Sequence, residues 1–337
     1  MKLSRYILGG AAVGGLITAG LLRRQKQHLE LQGRVVLVTG ATRGLGLVMA
    51  RQLASKGARV AICGRDDDEL KEASKQLSQL TPDFLSIKCD ITHKKEVHDL
   101  IASIRQKWGE VEILINNAGI IQVGPMENMR EKDYQQALKV HFWGPFNLVQ
   151  EVLPAMKAKR AGRIVNIASI NGKVSFPHLL PYTVSKFALA GFSEGITAEL
   201  SRYNILVTSV YPGLMQTGSP RNIDVKAQHH KEYAWFKISD SIPGLSMSAE
   251  KAAAKIINAM QYGRKVLNVG LPAKLAVAIE GLAPGLNGSI FGLANKLLPD
   301  PKETGAKVYK GYESESALTQ SALTEKTEEA EEKNNQL

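Results

Sequence analysis

The sequence predicts an α/β fold with a doubly wound parallel sheet. Between Gly33 and about Gly270, apolar runs rich in β-branched residues alternate with amphipathic stretches. Each run is continuously apolar, which is typical of parallel strands buried on both faces and joined by right-handed crossovers. The 337 residues are 44 % hydrophobic, enough for one large core in a single domain at 26–270. The predicted strands include residues 35–38, 58–63, 111–115, 164–167, 205–210 and 265–269.

The charge balance limits the classes of partner. The formal net charge is +11, but the basic residues are spread along helical segments with acidic residues between them. Basic residues that are not clustered with aromatics do not predict nucleic-acid binding, so we expect a phosphorylated ligand or an anionic membrane surface instead. The two cysteines, Cys63 and Cys89, cannot form a disulfide framework, which favours a reducing compartment.

Residues 1–25 are expected to form a membrane anchor. The uncharged run from Tyr6 to Leu22 would rise about 26 Å as a helix, enough for a thin bilayer. Basic residues directly after the run predict that the following domain lies on the cytoplasmic side. A cleaved targeting peptide and a soluble leader are the alternatives, although no convincing cleavage site follows the apolar run.

Two segments follow the last predicted strand. Residues 271–300 carry few charges and break at 284–285 and 287–288, which predicts an apolar extension of two short helices. These helices could cover a ligand cleft, pack in a homo-oligomer, lie in a membrane interface or simply pack on the core. Residues 301–337 are rich in Glu, Lys, Ser and Thr, and we expect this tail to be disordered.

A glycine-rich loop follows the first strand and opens the first helix. Its sequence runs from Thr39 to Gly46, and its glycines let the backbone approach a pyrophosphate at a helix N-terminus. A tight strand-to-helix turn without a ligand is the alternative, because a single glycine-rich loop is weak evidence. The candidate cofactor-binding residues in this loop are Gly40, Thr42, Arg43, Gly44, Leu45 and Gly46.

The end of the second strand predicts NADP (NADPH) rather than NAD. An acidic residue at this point would hold the ribose 2′-hydroxyl of NAD, but the sequence has Cys63-Gly64-Arg65. The guanidinium groups of Arg65 and Arg43 suit a 2′-phosphate. The alternative is that Arg65 only pairs with a neighbouring aspartate on the surface.

Tyr182 and Lys186 are the central candidate catalytic residues. Positions i and i+4 share one helix face, so an ammonium there could lower the pKa of the phenol and make it a better acid for carbonyl reduction. Ser169 ends an apolar strand thirteen residues upstream, where its hydroxyl could hydrogen-bond a substrate carbonyl. The three residues predict an enzyme that interconverts a carbonyl and an alcohol.

Together these motifs resemble the short-chain dehydrogenase/reductase family over roughly Gly33 to Gly270. The resemblance implies a Rossmann-type single domain, with Lys186 and Tyr182 also binding the cofactor. It further implies that Asp90 lies by the adenine and that the segment after the fourth strand braces the sheet near the cofactor. The remaining residues expected at the cofactor are Asn117, Ala118, Gly119, Pro212, Gly213 and Thr217.

One position departs from the family's pattern. The family usually has an asparagine in the helix before the serine strand, where it helps hold a relay water, and here the matching residue is His141. We expect a neutral His141 to hold that water, with activity lost as the ring protonates in acid. An alignment that uses Asn147 instead is the alternative. The other histidines show no metal-ligand spacing, so no metal is expected.

The segment from Gly213 to Ala249 is expected to form a lid over the substrate. Its aromatic and apolar residues, with Trp143, Val174 and Phe176, predict a lipophilic pocket and therefore a small lipophilic carbonyl or alcohol substrate. A membrane anchor agrees with such a substrate. The competing hypothesis is a non-catalytic, cofactor-binding membrane protein that acts as a scaffold or sensor.

Overall fold

A central sheet of seven strands, all of them parallel, forms the middle layer of the protein. The computed structural model describes residues 28–242, 244–283, 285–301, 307–322 and 324–337. The predicted parallel sheet is confirmed. Its strands are β1 (Val35–Thr39), β2 (Arg59–Gly64), β3 (Phe84–Lys88), β4 (Ile113–Asn116), β5 (Gly162–Ile167), β6 (Ile205–Pro212) and β7 (Val266–Val269).

The strand order β7-β6-β5-β4-β1-β2-β3 is doubly wound. Val36 of β1 pairs with Val60 of β2 on one side and with Ile113 of β4 on the other. The chain therefore reverses its winding direction between β1 and β4. In open α/β sheets, a ligand cleft opens beyond the carboxyl ends of the strands at this point.

Helices cover both faces of the sheet. Leu47, Ile256 and their apolar neighbours form one core cluster, and Leu100, Leu148 and theirs form the other. Burial of β-branched residues on both faces explains why each strand is apolar throughout. The helices of these layers are α1 (Gly44–Ala54), α2 (Asp67–Ser78), α3 (Lys94–Trp108), α4 (Glu131–Leu138), α5 (Gly144–Lys159), α6 (Leu180–Leu200) and α8 (Ala249–Gln261).

Among its described residues, the predicted lid segment contains one α-helix, one 3₁₀ helix (Ser219–Asn222) and three short strands. Helix α7 (His229–Ser241) begins at the histidine pair His229 and His230. His229 stacks on Tyr309, with ring centroids 3.8 Å apart. The short strands of this region are Met215–Gln216, Asp224–Val225 and Met247–Ser248, and two further short strands are Gln122–Val123 and Tyr309–Lys310.

The apolar extension forms two helices, α9 (Leu271–Leu282) and α10 (Leu286–Asn295). One side of this pair packs on residues just after β5, where Ala273 joins Ile170 and Val174 in a small core. The other side is exposed: Leu282 of α9 and Leu293 of α10 are 87 % and 67 % accessible. The extension therefore both covers the end of β5 and presents an apolar surface.

The expectation of a disordered tail is wrong for residues 307–322 and 324–337. Helix α11 (Glu325–Lys333) packs against α7, and Thr327 is fully buried. The low content of apolar residues predicted disorder, but ion pairs rather than apolar packing hold this segment. The ammonium of the buried Lys237 on α7 lies 2.9 Å from a Glu315 carboxylate oxygen and 3.7 Å from one of Glu331.

Within the described part of the chain, no helix is both long enough and apolar enough to span a bilayer. The predicted anchor at residues 1–25 lies outside the described residues.

Candidate active site

The glycine-rich loop connects β1 to α1 at the point where the sheet reverses direction. A Cβ on Gly40 would lie 2.6 Å from the Cα of Ala118, and Gly40 has a φ of +59°. A Cβ on Gly46 would lie 2.2 Å from the carbonyl oxygen of Gly40. Only glycine fits at both positions, because the loop folds tightly against itself and against the segment after β4. This tight turn brings the first amides of α1 to the cleft, where a phosphate could be bound.

Asn117 holds the loop from the β4 side. Its side-chain amide donates to the carbonyl oxygens of Thr39 at 3.0 Å and Gly40 at 2.9 Å. The hydroxyl of Thr39 in turn accepts the backbone amides of Asn117 and Ala118. These contacts fix the two strand ends against each other and hold the glycine-rich loop in one conformation.

The two candidate phosphate-binding arginines lie near the end of β2, in different environments. Arg43 donates to Glu69 at 2.8 Å, and the same carboxylate accepts the hydroxyl of Thr42 at 2.7 Å. Arg65 has only a loose ion pair with Asp90, with the closest nitrogen and oxygen atoms 3.7 Å apart and an Arg65 side chain that is 62 % exposed. Arg65 therefore has the guanidinium that can more readily move to bind a phosphate. Sequence reasoning missed Glu69, whose sequence position on α2 gives no sign that it faces the loop.

Ser169, Tyr182 and Lys186 converge beyond the carboxyl end of β5. Ser169 lies two residues after the end of β5, and its oxygen accepts the amide of Asn171 at 3.1 Å. The ammonium of Lys186 donates to the Ile167 carbonyl at 3.0 Å and lies 5.5 Å from the centre of the Tyr182 ring. The i, i+4 spacing on α6 thus places both side chains next to the strand end, as predicted.

Burial, rather than mutual attraction, sets the protonation of this pair. Burial raises the pKa of Tyr182 to about 12, although its hydrogen bond with Ser169 acts in the opposite direction. Burial lowers the pKa of Lys186 to about 7. The expected lowering of the phenol pKa by the neighbouring cation is not seen. The Lys186 ammonium is directed at the Ile167 carbonyl, and desolvation disfavours the charged form of both groups.

His141 lies in a five-residue π-helical segment, Lys139–Trp143, between α4 and α5. Its Nε2 accepts the Ile120 amide at 3.1 Å, and its Nδ1 lies 2.7 Å from the hydroxyl of Ser185. Because that hydroxyl donates to the Tyr182 carbonyl at 2.7 Å, Nδ1 must carry the hydrogen. Burial and the nearby Lys186 charge lower the pKa of His141 well below its usual value, so the ring stays neutral.

The expectation that His141 holds a relay water with a ring nitrogen therefore needs correction. Both ring nitrogens bind protein groups, and neither is free for a water molecule. The histidine instead connects the segment after β4 to the backbone of Tyr182 through Ser185. Sequence reasoning missed Ser185 because a serine between a tyrosine and a lysine carries no signal of its own. The alternative residue, Asn147, donates to the Ile91 carbonyl at 3.3 Å.

The remaining predicted cofactor residues lie at the carboxyl ends of their strands. Asp90 follows β3 and accepts the amide of Thr92 at 2.9 Å. Pro212 ends β6, and the amide of Gly213 donates to the Val269 carbonyl at 3.0 Å. Thr217 is buried, and its hydroxyl accepts the amide of Ser219. Among the described residues, no group of three or more His, Cys, Asp or Glu side chains is arranged to hold a metal ion.

Comparison with known proteins identifies the class. Residues 34–228 match the family described as short chain dehydrogenase. The dehydrogenase/reductase SDR family member 7B of Xenopus laevis is 32 % identical over 309 residues, covering 89 % of this chain and 92 % of the relative.

Solved structures agree. A short-chain dehydrogenase from Streptomyces avermitilis has a TM-score of 0.65 and 26 % identity, covering 79 % of this chain and 94 % of that one. A variant of actinorhodin polyketide ketoreductase with NADPH has a TM-score of 0.63 and 31 % identity, with coverages of 71 % and 96 %.

The chain therefore belongs to the short-chain dehydrogenase/reductase family. It is an oxidoreductase that acts on CH–OH or C=O groups with a nicotinamide cofactor.

Proposed function

We propose that the protein is an NADPH-dependent carbonyl reductase, able to work in reverse as an alcohol dehydrogenase, with Tyr182 as the proton donor. The observation that carries this proposal is the convergence of Tyr182, Ser169 and Lys186 beyond the carboxyl end of β5. The glycine-rich loop lies at the same edge of the sheet, so a cofactor on that loop would extend toward the three side chains.

Bound NADPH would supply the hydride, and the protein would supply a proton and a fixed geometry. Because the pKa of Tyr182 is raised to about 12, the phenol keeps its proton throughout the physiological range and can donate it to a developing alkoxide. The Ser169 hydroxyl can hydrogen-bond the same oxygen. Lys186, with a pKa of about 7, is partly protonated near neutral pH, and its ammonium would stabilise the tyrosinate left after proton transfer.

The preference for NADPH over NADH is supported by Arg65. No carboxylate ends β2, and Arg65 is exposed and loosely held, so it can turn toward a 2′-phosphate. Arg43 contributes less in this proposal because its guanidinium already has a carboxylate partner in Glu69. The related polyketide ketoreductase was solved with NADPH, which agrees with this preference.

A lipophilic substrate is supported by the apolar groups near Ser169. Phe176 packs against Phe291 of α10 with ring centroids 4.3 Å apart, and Val174 is buried beside them. Apolar walls with few polar groups favour steroid-like, retinoid-like or fatty-acyl carbonyls over sugars.

Membrane association is a further part of the proposal. The exposed side of α9 and α10 forms an apolar surface of a kind that monomeric soluble proteins rarely leave uncovered. This surface and the apolar run at residues 1–25 could act together on a bilayer. The exposed residues that form it are Leu271, Leu275, Leu282, Leu286, Ile290, Leu293 and Leu297.

The activity is tested by following NADPH oxidation by the full-length protein against matched ketones. One panel consists of lipophilic ketones and aldehydes of increasing chain or ring size, and the control panel consists of sugar ketones. We expect turnover with the first panel and NADPH, and weaker turnover with NADH. Absence of NADPH oxidation with every carbonyl would overturn the proposed function, whereas a preference for sugars would overturn only the substrate class.

A further inference from the structure

Residues 331–336 lie across the glycine-rich loop, almost three hundred positions away in sequence. The Gly44 amide, the first in α1, donates to the Asn334 carbonyl at 2.8 Å. The side-chain amide of Asn335 donates to the Thr42 carbonyl at 2.8 Å and to the Glu69 carbonyl at 3.3 Å. This segment therefore binds the backbone of the loop that is proposed to hold the cofactor.

The same segment also binds the lid segment, on the other side of the cleft. The side-chain amide of Gln336 donates to the Thr217 carbonyl at 3.3 Å. Asn222 donates to Gln336 twice, at 2.8 Å to its side-chain oxygen and at 3.0 Å to its backbone carbonyl. Since Thr217 and Asn222 follow β6, residues 334–336 bridge the glycine-rich loop and the lid segment.

This contact is built into the fold rather than laid on its surface. Asn334 is only 1 % exposed and Gln336 4 %. Gly218 has a φ of +76°, and a Cβ there would lie 2.6 Å from the Cα of Glu331. The backbone at Glu331 therefore packs so closely on residue 218 that only glycine fits there. The buried Lys237 holds the preceding helix, α11, onto the lid helix through Glu331.

The segment could either complete the cofactor site or block it. The two roles differ in whether the segment already occupies the hydrogen-bond donors at the start of α1. Asn334 takes only the Gly44 amide. Among the described residues, no acceptor binds the next two amides, those of Leu45 and Gly46. The first amides of a helix are its anion-binding groups, so Leu45 and Gly46 keep two unpaired donors for a phosphate. The Gln336 side-chain amide lies beside them, since a Cβ on Gly44 would be 2.7 Å from its Nε2.

We propose that residues 334–336 form a strap that closes over the bound dinucleotide and slows its release. The strap acts by holding the glycine-rich loop and the lid segment in the positions that the cofactor requires, and Asn334, Asn335 and Gln336 are positioning residues of the cofactor site. This inference rests on the proposed function, because it assumes that the loop binds a nicotinamide dinucleotide.

The experiment compares NADPH binding and release in full-length variants. Asn335→Gly removes the amide that reaches Thr42 and Glu69 while tolerating the positive φ of 56° at this position. Glu332→Gln is the matched control, because that side chain is exposed on the same segment. A third variant lacks residues 334–337. NADPH affinity is read from its fluorescence, and the release rate is read by stopped-flow displacement with excess NADP⁺.

We expect NADPH release to be about five-fold faster in Asn335→Gly, as the loss of one or two hydrogen bonds implies, and faster still in the deletion variant. Glu332→Gln should match the parent. Unchanged release in both test variants, or tighter NADPH binding in either, would overturn the proposal; tighter binding would show that the segment blocks the site.

Two controls separate this result from the proposed function. Thermal melting without cofactor shows whether each variant is folded, and if the deletion variant unfolds, Asn335→Gly alone decides. If the parent itself binds no NADPH, the proposed function fails and the strap fails with it. If the parent binds and turns over NADPH while the variants release it at the parental rate, only the strap is wrong.

Discussion

The two walls of the cleft are built differently. On the catalytic wall, His141 and Lys186 are buried and contact backbone groups of neighbouring elements, and the half-buried Tyr182 contacts the Ser169 hydroxyl. On the cofactor wall, Arg43 and Arg65 are partly exposed and bound to carboxylates. Burial shifts protonation strongly, whereas exposed ion pairs contribute little. Substitutions of Tyr182 and Lys186 should therefore cost the most activity, those on the cofactor wall should weaken cofactor binding, and His141, which acts through its neighbours, should matter least for turnover.

Lys186→Met should have the largest effect on turnover. It should lower the activity and raise the stability of the folded protein. We expect kcat to fall by about 10²- to 10⁴-fold, because the charge that would stabilise tyrosinate is lost. The folded protein should become more stable, since the lysine pKa of about 7 lies below its usual value and the folded state resists protonation. Thermal melting and steady-state kinetics measure the two effects.

The stability gain from Lys186→Met should depend on pH in a defined direction. A buried lysine with a lowered pKa destabilises the fold most at pH values below about 7, where it must be charged in both states. This penalty disappears as the pH rises toward 10.5, where the unfolded lysine also becomes neutral. The increase in Tm should therefore be greatest at pH 6 and shrink by pH 10. An equal increase at both pH values would contradict the assigned pKa.

Arg65→Ala should have a smaller effect that is confined to cofactor choice. We expect the preference for NADPH over NADH to narrow by about 1.5 to 3 kcal/mol, because a charge-assisted contact to the 2′-phosphate is lost. Arg105→Ala is the matched control, since that arginine lies at the far end of α3 and pairs with Glu110. The dissociation constants of NADPH and NADH, measured for the parent and each variant, give this preference. Equal affinities for the two cofactors in the parent protein would remove the basis of this prediction.

Substitution of His141 should have the mildest effect on turnover, and asparagine should rescue it. His141→Ala frees the Ile120 amide and the Ser185 hydroxyl, so we expect kcat to fall about ten-fold as Tyr182 loses its support. An asparagine offers one acceptor and one donor for the same two partners.

The pH profile separates this positioning role from the water-holding role expected from the sequence. Because the pKa of His141 lies well below its usual value, the parent and His141→Asn should show no histidine-linked loss of kcat between pH 5.5 and 8. A loss near pH 6.5 that asparagine removes would restore the water-holding interpretation. If His141→Ala keeps the parental kcat, His141 has no positioning role and only fills space in the core.

The sequence predicted the parts of the molecule that depend on local pattern. The buried strands follow from continuous apolar runs, and the loop at Gly40 follows from its glycine spacing because the turn leaves no room for a side chain. The helical spacing of Tyr182 and Lys186 likewise predicted their common face. These signals act over a few residues and need no knowledge of the rest of the chain.

The parts that depend on distant contacts could not be predicted. The partners of Lys237 include Glu315, which lies 78 positions away, so the segment after residue 301 looked like a solvated tail. The neutral state of His141 depends on partners 21 and 44 positions away. The pKa values of Tyr182 and Lys186 depend on burial, which composition does not reveal.

The central claim is that Tyr182 donates the proton, and the most direct test is paired measurement of NADPH binding and turnover in Tyr182→Phe. The change removes the phenol hydroxyl and leaves the ring, and Tyr203→Phe, in the 3₁₀ turn that follows α6, is the control. We predict parental NADPH affinity with turnover reduced by at least about 10²-fold in Tyr182→Phe, and parental behaviour in Tyr203→Phe. Parental turnover in Tyr182→Phe would contradict the account.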